Sequence, residues 1–221
     1  MSTYTLKCLS CQKEITDNYS ITCSCGKGGF YRTIYKTTNF NPTNENSIWR
    51  FHEWLPVKNP PTVKINSNGK EIRSKAGKTV VFKSKGLAKE LGLQNLYIAF
   101  NGYWPEKNAN ILTGTFKGLE APPSISRAKE NGIKQILLAT AGNTGRAFAE
   151  ETLNQVFEIL IVAAKSANSR LWTTKEVKED NVKYITLGNG NDYADAIKLS
   201  KRICTEIGVE TEGGARNVAR R

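Results

Sequence analysis

The stretch that decides the fold is "NILTGTFKGLEAPPSISRAKENGIKQILLATAGNTGRAFAE", residues 110–150. A helical pattern that begins near Thr115 and stops at Gly132 leads into the apolar segment "KQILLAT". The small-residue turn Thr140–Thr144 then opens a second helix. We expect the first helix to be disturbed at Pro122-Pro123, because proline lacks a backbone donor. A strand placed between two helices predicts βαβ units and a parallel sheet.

The same alternation extends outward from this stretch. Upstream, "SKGLAKELG" predicts a helix and "NLYIAF" a strand. Downstream, "FEILIVAA" and "VKYITLG" predict strands, and the first of them is apolar throughout, as in a sheet covered on both faces. "DYADAIKLSKRICTEIG" predicts a helix with Asp192 as its N-cap and Gly208 as its stop. Residues 80–221 are therefore predicted to form an α/β domain with a parallel sheet.

Two smaller segments precede this domain. Residues 1–35 contain the short β-type stretches "YTLKCLSC" and "NYSITCSC", each ending in a cysteine pair, and predict a cysteine-rich β ribbon. Residues 36–79 are predicted to be an irregular linker, since asparagine and proline at this density oppose regular structure. The part between Thr62 and Lys78 is predicted to be a loop or a hairpin.

Composition places the chain in a broad class. The 221 residues are 39% hydrophobic and 24% charged, as in soluble globular proteins. No apolar run approaches the roughly 18 residues that span a bilayer, and the N-terminus shows no signal-peptide core, so we predict a cytoplasmic protein. The net charge is +12, of which +9 falls in residues 1–92. That half could attract nucleic acid or small anions, or could serve solubility alone.

Four of the five cysteines crowd into eighteen residues with the spacing C-x2-C, eleven residues, C-x-C. Four thiolates at this range can close a tetrahedral zinc site, and clustered cysteines in a cytosolic protein favour metal over disulfides. The alternatives are free cysteines in a small β unit and a redox or iron–sulfur role. Cys204 is interpreted as a core residue, and His52 as a packed or surface residue rather than a catalyst. The predicted zinc ligands are Cys8, Cys11, Cys23 and Cys25.

Lys117 and the turn at Thr140–Thr144 carry the candidate chemistry. Lys117 follows Thr-Phe at a helix start, and an apolar setting there would favour the neutral amine that forms a Schiff base with an aldehyde. Backbone N–H groups at the start of the second helix can bind a carboxylate, and Asn143 adds an amide donor. Arg146, one turn further on, is either a clamp for an anionic substrate or a solvent-facing arginine.

These segments together resemble the fold-type II pyridoxal-phosphate enzymes, among them the threonine synthases and, more closely, the cysteate synthases. The stretches that carry the resemblance are "FKSKGLAKELGLQNLYIAFNGYWPE", "TFKGLEAPPSISR", "AGNTGRAFA", "SRLWTT" and "EGGARNVARR". The resemblance implies that Lys117 is the Schiff-base lysine and that Asn143 hydrogen-bonds the pyridoxal 3′-oxygen. The residues it places in the substrate-carboxylate loop are Thr140, Gly142 and Thr144. Two positions depart from the family pattern, since Thr115 and Gly118 stand where serine and an acidic residue are more common.

The activity implied is β-replacement of O-phospho-L-serine by sulfite, giving L-cysteate and phosphate, on the methanogen route to coenzyme M. The resemblance further implies a homo-oligomer when complete, and it likens this chain to the N-terminal half of the enzyme, with a C-terminal half supplied by the following reading frame. Arg216 and Arg220 are further candidates for anion binding, or parts of a basic tail.

Three other functions stay open at this point. One is a threonine-synthase-like lyase, and another is an inactive or regulatory half-domain. The third comes from a different class: a zinc-ribbon protein that binds nucleic acid by stacking bases on Trp49, Phe51 and Trp54. It leaves the α/β half of the chain without a role.

Overall fold

The computed structural model describes residues 4–59, 61–64, 71–73 and 76–220. The N-terminal module is a three-stranded antiparallel sheet with β1 (Tyr4–Cys8) between β2 (Glu14–Ile15) and β3 (Tyr31–Tyr35). The strand predicted at "NYSITCSC" is wrong, since residues 18–25 form turns and bends. Tyr19 has a φ of 67°, a left-handed conformation that no extended strand adopts, and the strand instead follows at β3.

The described residues of the middle segment are irregular apart from a 3₁₀ turn at Ile48–Trp54 and one hairpin. The hairpin pairs β4 (Thr62–Lys64) with β5 (Glu71–Arg73) in antiparallel register. Residues 65–70, which connect the two strands, lie outside the described residues, as do residues 74–75 of the same predicted segment. A small core around the fully buried Trp49 holds the 3₁₀ turn in place.

Four short strands lie between this segment and the parallel sheet. β6 (Val80–Lys83), followed by α1 (Lys85–Glu90), pairs with β7 (Tyr97–Phe100), and β8 (Tyr103–Trp104) pairs with β9 (Ala109–Asn110). Both pairs are antiparallel. The helix at "SKGLAKELG" and the strand at "NLYIAF" are confirmed, but they do not form a parallel βαβ unit. With six residues, α1 is too short to carry β7 across to a parallel position.

The remaining elements build the sheet that the opening stretch predicts. They are α2 (Lys117–Glu130), β10 (Gln135–Thr140), α3 (Asn143–Glu151), β11 (Glu158–Ala164), β12 (Val182–Leu187), α4 (Tyr193–Ile207) and β13 (Glu210–Thr211). The strand order is β12-β11-β10-β13, and every pairing is parallel. The α/β class with a parallel sheet and a small N-terminal β module is therefore confirmed.

Both faces of this sheet are covered. Ile136 and Leu138 of β10 join a core with residues of α2 and α3, whereas Leu137 of the same strand packs with Ala196 of α4. The alternation along one strand follows from its period of two. Asp192 accepts hydrogen bonds from the first turn of α4, and Gly208 ends that helix in the left-handed conformation, so both predicted boundaries are confirmed.

Helix α2 runs without interruption through Pro122 and Pro123, so the predicted disturbance is wrong. Both prolines are buried, and the Gln155 amide beyond the end of α3 donates to the Pro122 carbonyl over 3.3 Å. Burial against α3 outweighs the loss of two backbone donors. Within the described parts of the chain, no helix has the length and apolar character to cross a membrane.

A buried ion pair joins the N-terminal module to α2. The Arg127 guanidinium donates from Nε and Nη2 to the two carboxylate oxygens of Asp17, each over 2.7 Å. The Asp17 side chain is 2% exposed and that of Arg127 is fully buried. Tyr4 of β1 donates its hydroxyl to the same carboxylate over 2.7 Å, so the module is fixed to the helix that begins at Lys117.

Candidate functional site

Helix α2, which carries Lys117, and helix α3, which carries Asn143, both begin at the carboxyl-terminal end of strand β10. A short loop at residues 131–134 joins α2 to β10, so the helix and the strand run in opposite directions. Fourteen helical residues rise about 21 Å, and six strand residues span about 20 Å. Lys117 therefore lies level with the carboxyl-terminal end of β10, where the turn after Thr140 begins, as the predicted site requires.

The Lys117 amine lies in a charged setting. Its Nζ donates to Glu120 Oε1 over 2.7 Å and lies 4.3 Å from the centre of the Phe116 ring. The side chain is 21% exposed. The predicted apolar setting is therefore wrong, because residues three apart on a helix face one another and Glu120 falls within reach.

Gly118 stands at a position where a side chain would clash with its neighbours. A Cβ built at this position would lie 2.7 Å from Thr113 Oγ1 and 2.9 Å from Ile111 Cγ2. Both distances are shorter than van der Waals contact. The departure from the family pattern at Gly118 thus follows from the close approach of the Ile111–Thr113 segment to the first turn of α2.

The turn between β10 and α3 is shaped by Thr140. Its buried Oγ1 accepts hydrogen bonds from the backbone N–H groups of Gly142 and Gly145, each over 2.9 Å. Asn143 and Thr144, the first two residues of α3, have no intrahelical acceptor for their N–H groups. These two N–H groups and the helix dipole suit a carboxylate or another anion. Thr140 holds the turn, and the substrate-binding role predicted for it stays a prediction.

Gly142 is required by the backbone. Its φ is 130°, and a Cβ there would lie 2.7 Å from Arg170 Cβ. Only glycine adopts this conformation at low cost. Gly142 therefore lets the turn pass close to Arg170 of the "SRLWTT" stretch.

The Arg146 side chain contacts two neighbouring residues, Asn143 and Trp172. Its Nη2 donates to Asn143 Oδ1 over 3.3 Å, and its guanidinium lies 4.4 Å above the Trp172 ring. Burial lowers the pKa of Arg146. Because Oδ1 accepts from Arg146, the amide nitrogen of Asn143 is the atom that can donate to a ligand. The sequence analysis assigned no role to Arg170 or Trp172. Both lie in the "SRLWTT" stretch that carries the family resemblance, and that stretch could have indicated them.

The four clustered cysteines form a second candidate site. Their Sγ atoms all lie within 4.8 Å of one another, and those of Cys11 and Cys23 are 3.7 Å apart. A tetrahedron with zinc–sulfur bonds of about 2.3 Å has edges of about 3.8 Å. All four are free thiols rather than disulfides. The donor set and its spacing therefore fit one tetrahedral metal ion.

Hydrogen bonds to the sulfurs support thiolates at this site. The backbone N–H groups of Ser10 and Cys11 point at Cys8 Sγ from 3.4 and 3.5 Å. The backbone N–H of Cys25, followed by the Tyr31 hydroxyl, lowers the pKa of Cys23 to about 6. Donors of this kind stabilise the charged form of Cys23 that binds metal. At Cys11 a backbone hydrogen bond at Lys13 acts in the same direction, but burial and hydrogen bonds with the other cysteines outweigh it and raise the pKa of Cys11 to about 11.

The two C-terminal arginines differ in surroundings. Arg220 is an internal ion-pair residue, because its Nε donates to Glu120 over 2.6 Å and its Nη1 donates to Glu212 over 2.9 Å. Arg216 lies over the Phe30 ring at 5.7 Å. Both line a cavity of about 640 Å³ between α4, β10 and residues 211–220.

The stacking surface required by the nucleic-acid alternative is incomplete. Trp49 is fully buried and cannot stack on a base. Phe51 stacks on Phe40 with ring centres 5.6 Å apart, and Trp54 contacts Phe40 at 6.2 Å. Two of the three aromatic side chains thus pack on a neighbouring ring, and the third lies in a core.

Comparison with known proteins gives a consistent set of relatives by sequence. No family model matches the chain. It is 45% identical over 221 residues to the cysteate synthase of Methanocella paludicola and 44% identical over 221 residues to that of Methanosarcina acetivorans. These alignments cover 100% of this chain and 49% and 50% of the relatives. The chain therefore spans about half the length of the curated relatives it matches.

Solved structures give weaker likenesses. An O-ureido-L-serine synthase aligns with a TM-score of 0.47 and 15% identity, over 62% of this chain and 42% of that protein. A diaminopropionate ammonia lyase from Escherichia coli aligns with a TM-score of 0.44 and 16% identity, over 78% of this chain and 43% of that protein.

Proposed function

We propose that the full-length protein is a pyridoxal-phosphate-dependent cysteate synthase, which converts O-phospho-L-serine and sulfite into L-cysteate and phosphate. The observation that carries the proposal is the identity of 38% to 45% with proteins of that name along essentially the whole chain. The Lys117 amine and the Asn143 turn, on one side of the sheet, supply the groups that such chemistry needs.

The reaction replaces one bond at the substrate Cβ. The Cβ–O bond to phosphate breaks and the Cβ–S bond to sulfite forms, so the reaction needs no external oxidant or reductant. When bound, pyridoxal phosphate supplies an electron-withdrawing ring that stabilises negative charge at the substrate Cα. The chain's own residues bind, orient and move the proton.

Each site residue has a part in this proposal. The Lys117 amine would hold the cofactor through its aldehyde, and it would take the proton from the substrate Cα and return it once the Cβ–S bond has formed. The Asn143 amide nitrogen would donate to the pyridoxal 3′-oxygen of the cofactor. The N–H groups of Asn143 and Thr144 hold the substrate carboxylate, while Thr140 and Gly142 keep the turn in the shape that directs them.

The decisive measurement is phosphate release by the full-length protein. We expect release from O-phospho-L-serine that depends on sulfite and yields cysteate. The matched control substrate is O-phosphohomoserine, which is one carbon longer. Sulfite-independent conversion of that substrate to threonine would assign the protein to the threonine synthases instead.

The setting of the proposed enzyme follows from the same resemblance. We place it in the cytoplasm, as a homo-oligomer when complete, on the route to coenzyme M in a methanogen. The support for this setting is the set of methanogen relatives that share the name, and no nucleic-acid or membrane partner is part of the proposal.

We further propose that the cysteine cluster holds one structural zinc ion. The support is the compact set of four thiols with a sulfur–sulfur distance of 3.7 Å. Such an ion would join the loop after β1 to the turn before β3. It would stabilise the N-terminal module, because a small module with few buried residues gains folding energy from a bound metal.

Elemental analysis is expected to find about one zinc per chain, since four thiolates complete one tetrahedral site. Cys11→Ser is expected to lose the metal and to lower the unfolding temperature, and a strong chelator is expected to do the same. Cys204→Ser is the matched control, because Cys204 packs beside the core under α4, and it is expected to retain the metal. Metal-free wild-type protein whose stability ignores the chelator would contradict the proposal.

Arg146 is proposed to bind the anionic group of a substrate through the donors it does not use on Asn143. Arg146→Ala in the full-length protein is expected to raise the apparent KM for sulfite or phosphoserine by about tenfold to a hundredfold, the worth of a charged hydrogen bond. The turnover rate is expected to change less. Arg202→Ala, at an exposed position of α4, serves as control. A loss of cofactor affinity with unchanged KM values would show that Arg146 acts only through Asn143.

A further inference from the structure

One carboxylate lies between two cations at the start of α2. Glu120 accepts from Lys117 Nζ at Oε1 over 2.7 Å and from Arg220 Nε at Oε2 over 2.6 Å. The Glu120 side chain is 12% exposed and the Arg220 side chain 13%. Each oxygen of Glu120 thus has its own cationic partner.

Arg220 is in turn held by a second carboxylate, that of Glu212. Its Nη1 donates to Glu212 Oε2 over 2.9 Å, and the Glu212 side chain is 3% exposed. Glu212 also accepts from the backbone N–H of Gly214 over 3.0 Å and from the Asn217 amide over 3.3 Å. The guanidinium that contacts Glu120 is therefore fixed by a buried and fully bonded acceptor.

We propose that Glu120 is a latch on Lys117, a positioning residue whose ion pair holds the lysine amine back from an aldehyde, and that Arg220 limits the strength of this latch. The inference rests on the proposed function for the identity of Lys117 as the reacting amine. Because two cations share one carboxylate, each weakens the hold of the carboxylate on the other. Glu120 thus holds the Lys117 amine, and Arg220 competes for the same carboxylate.

The two residues therefore have opposite effects on the reactivity of the Lys117 amine, and this separates a latch from a structural role. Substitutions that merely loosen the first turn of α2 would expose Lys117 in both cases. Removal of the Glu120 charge frees the amine, whereas removal of the Arg220 charge leaves the whole carboxylate to Lys117.

The test is reductive labelling of the 221-residue chain at neutral pH, with pyridoxal phosphate as the aldehyde and borohydride as the reductant. The neutral amine condenses with the aldehyde, water leaves, and hydride reduces the resulting carbon–nitrogen double bond. Peptide mass spectrometry reads the extent at Lys117 relative to Lys129, an exposed lysine on the same helix. Glu120→Gln is expected to raise the labelling of Lys117 about threefold to tenfold.

Arg220→Met keeps a long side chain and removes the charge, and it is expected to lower the labelling of Lys117 below that of the wild type. Arg220→Lys is expected to bring it back toward the wild-type extent. Glu206→Gln removes a carboxylate from an exposed pair on α4 and is expected to leave the ratio unchanged. Far-ultraviolet circular dichroism confirms that each variant is folded.

Labelling that rises in both Glu120→Gln and Arg220→Met, or that changes in neither, would overturn the latch. These readings do not require turnover. A full-length protein that fails to use phosphoserine while the opposite signs hold would remove the proposed function and leave the latch in place.

Discussion

Lys117→Ala in the full-length protein is expected to lower the rate of phosphate release from O-phospho-L-serine by about 10³-fold or more. Under the proposed function, the substitution removes both the amine that would bond the cofactor and the group that would move the Cα proton, and proton transfer alone contributes roughly 10² to 10⁴ in rate. The measurement is sulfite-dependent phosphate release with saturating cofactor.

Lys129→Ala is the matched control, because Lys129 is exposed near the other end of the same helix. It is expected to keep the wild-type rate. The visible absorbance of protein-bound cofactor gives a readout that does not depend on turnover: it is expected in the wild type and in Lys129→Ala, and to be lost in Lys117→Ala. Unchanged absorbance in Lys117→Ala would assign the cofactor bond to another lysine.

The parallel sheet was predictable because its strands have unambiguous sequence patterns. The apolar stretch of β11 leaves no polar face to expose, so helices must cover it on both sides. The boundaries of α4 were equally clear, since Asp192 and Gly208 act through their own backbone neighbours. Local chemistry of this kind can be read from one sequence.

Predictions that depended on distant partners went wrong or were not made. The i,i+3 spacing could have revealed the Lys117–Glu120 pair. Glu120 and Arg220, however, are 100 residues apart in sequence and 2.6 Å apart in space, so no local pattern could reveal that Arg220 joins this pair. Pro122 and Pro123 oppose a helix locally, but burial against α3 keeps the helix continuous. Tertiary packing decided both cases.

The cysteine cluster shows the same division. The spacing of the four cysteines was enough to predict that their sulfurs meet, and they do. The second pair was assigned to a strand because its residues have β propensity, yet that segment turns. Gathering four thiols within 4.8 Å imposes a geometry that propensity does not anticipate.

The buried ion pair between Asp17 and Arg127 supports the second large effect. Asp17→Asn is expected to lower the free energy of unfolding of the chain by about 3 to 5 kcal/mol, because it leaves the fully buried Arg127 guanidinium without a counter-charge. Urea denaturation of the 221-residue chain measures the loss. Asp180→Asn, at an exposed position, is the matched control and is expected to change the stability by less than about 0.5 kcal/mol.

The same pair predicts how stability depends on acid. Burial alone would raise the pKa of the Asp17 carboxyl, but the hydrogen bonds and charge of Arg127 hold it below its ordinary value. A carboxyl whose pKa is lower in the folded state stabilises the fold above its unfolded pKa of about 3.9. That contribution is lost as the pH falls through the folded value. Wild-type stability is therefore expected to fall below about pH 4 more steeply than that of Asp17→Asn, and parallel acid profiles would contradict this account of the pair.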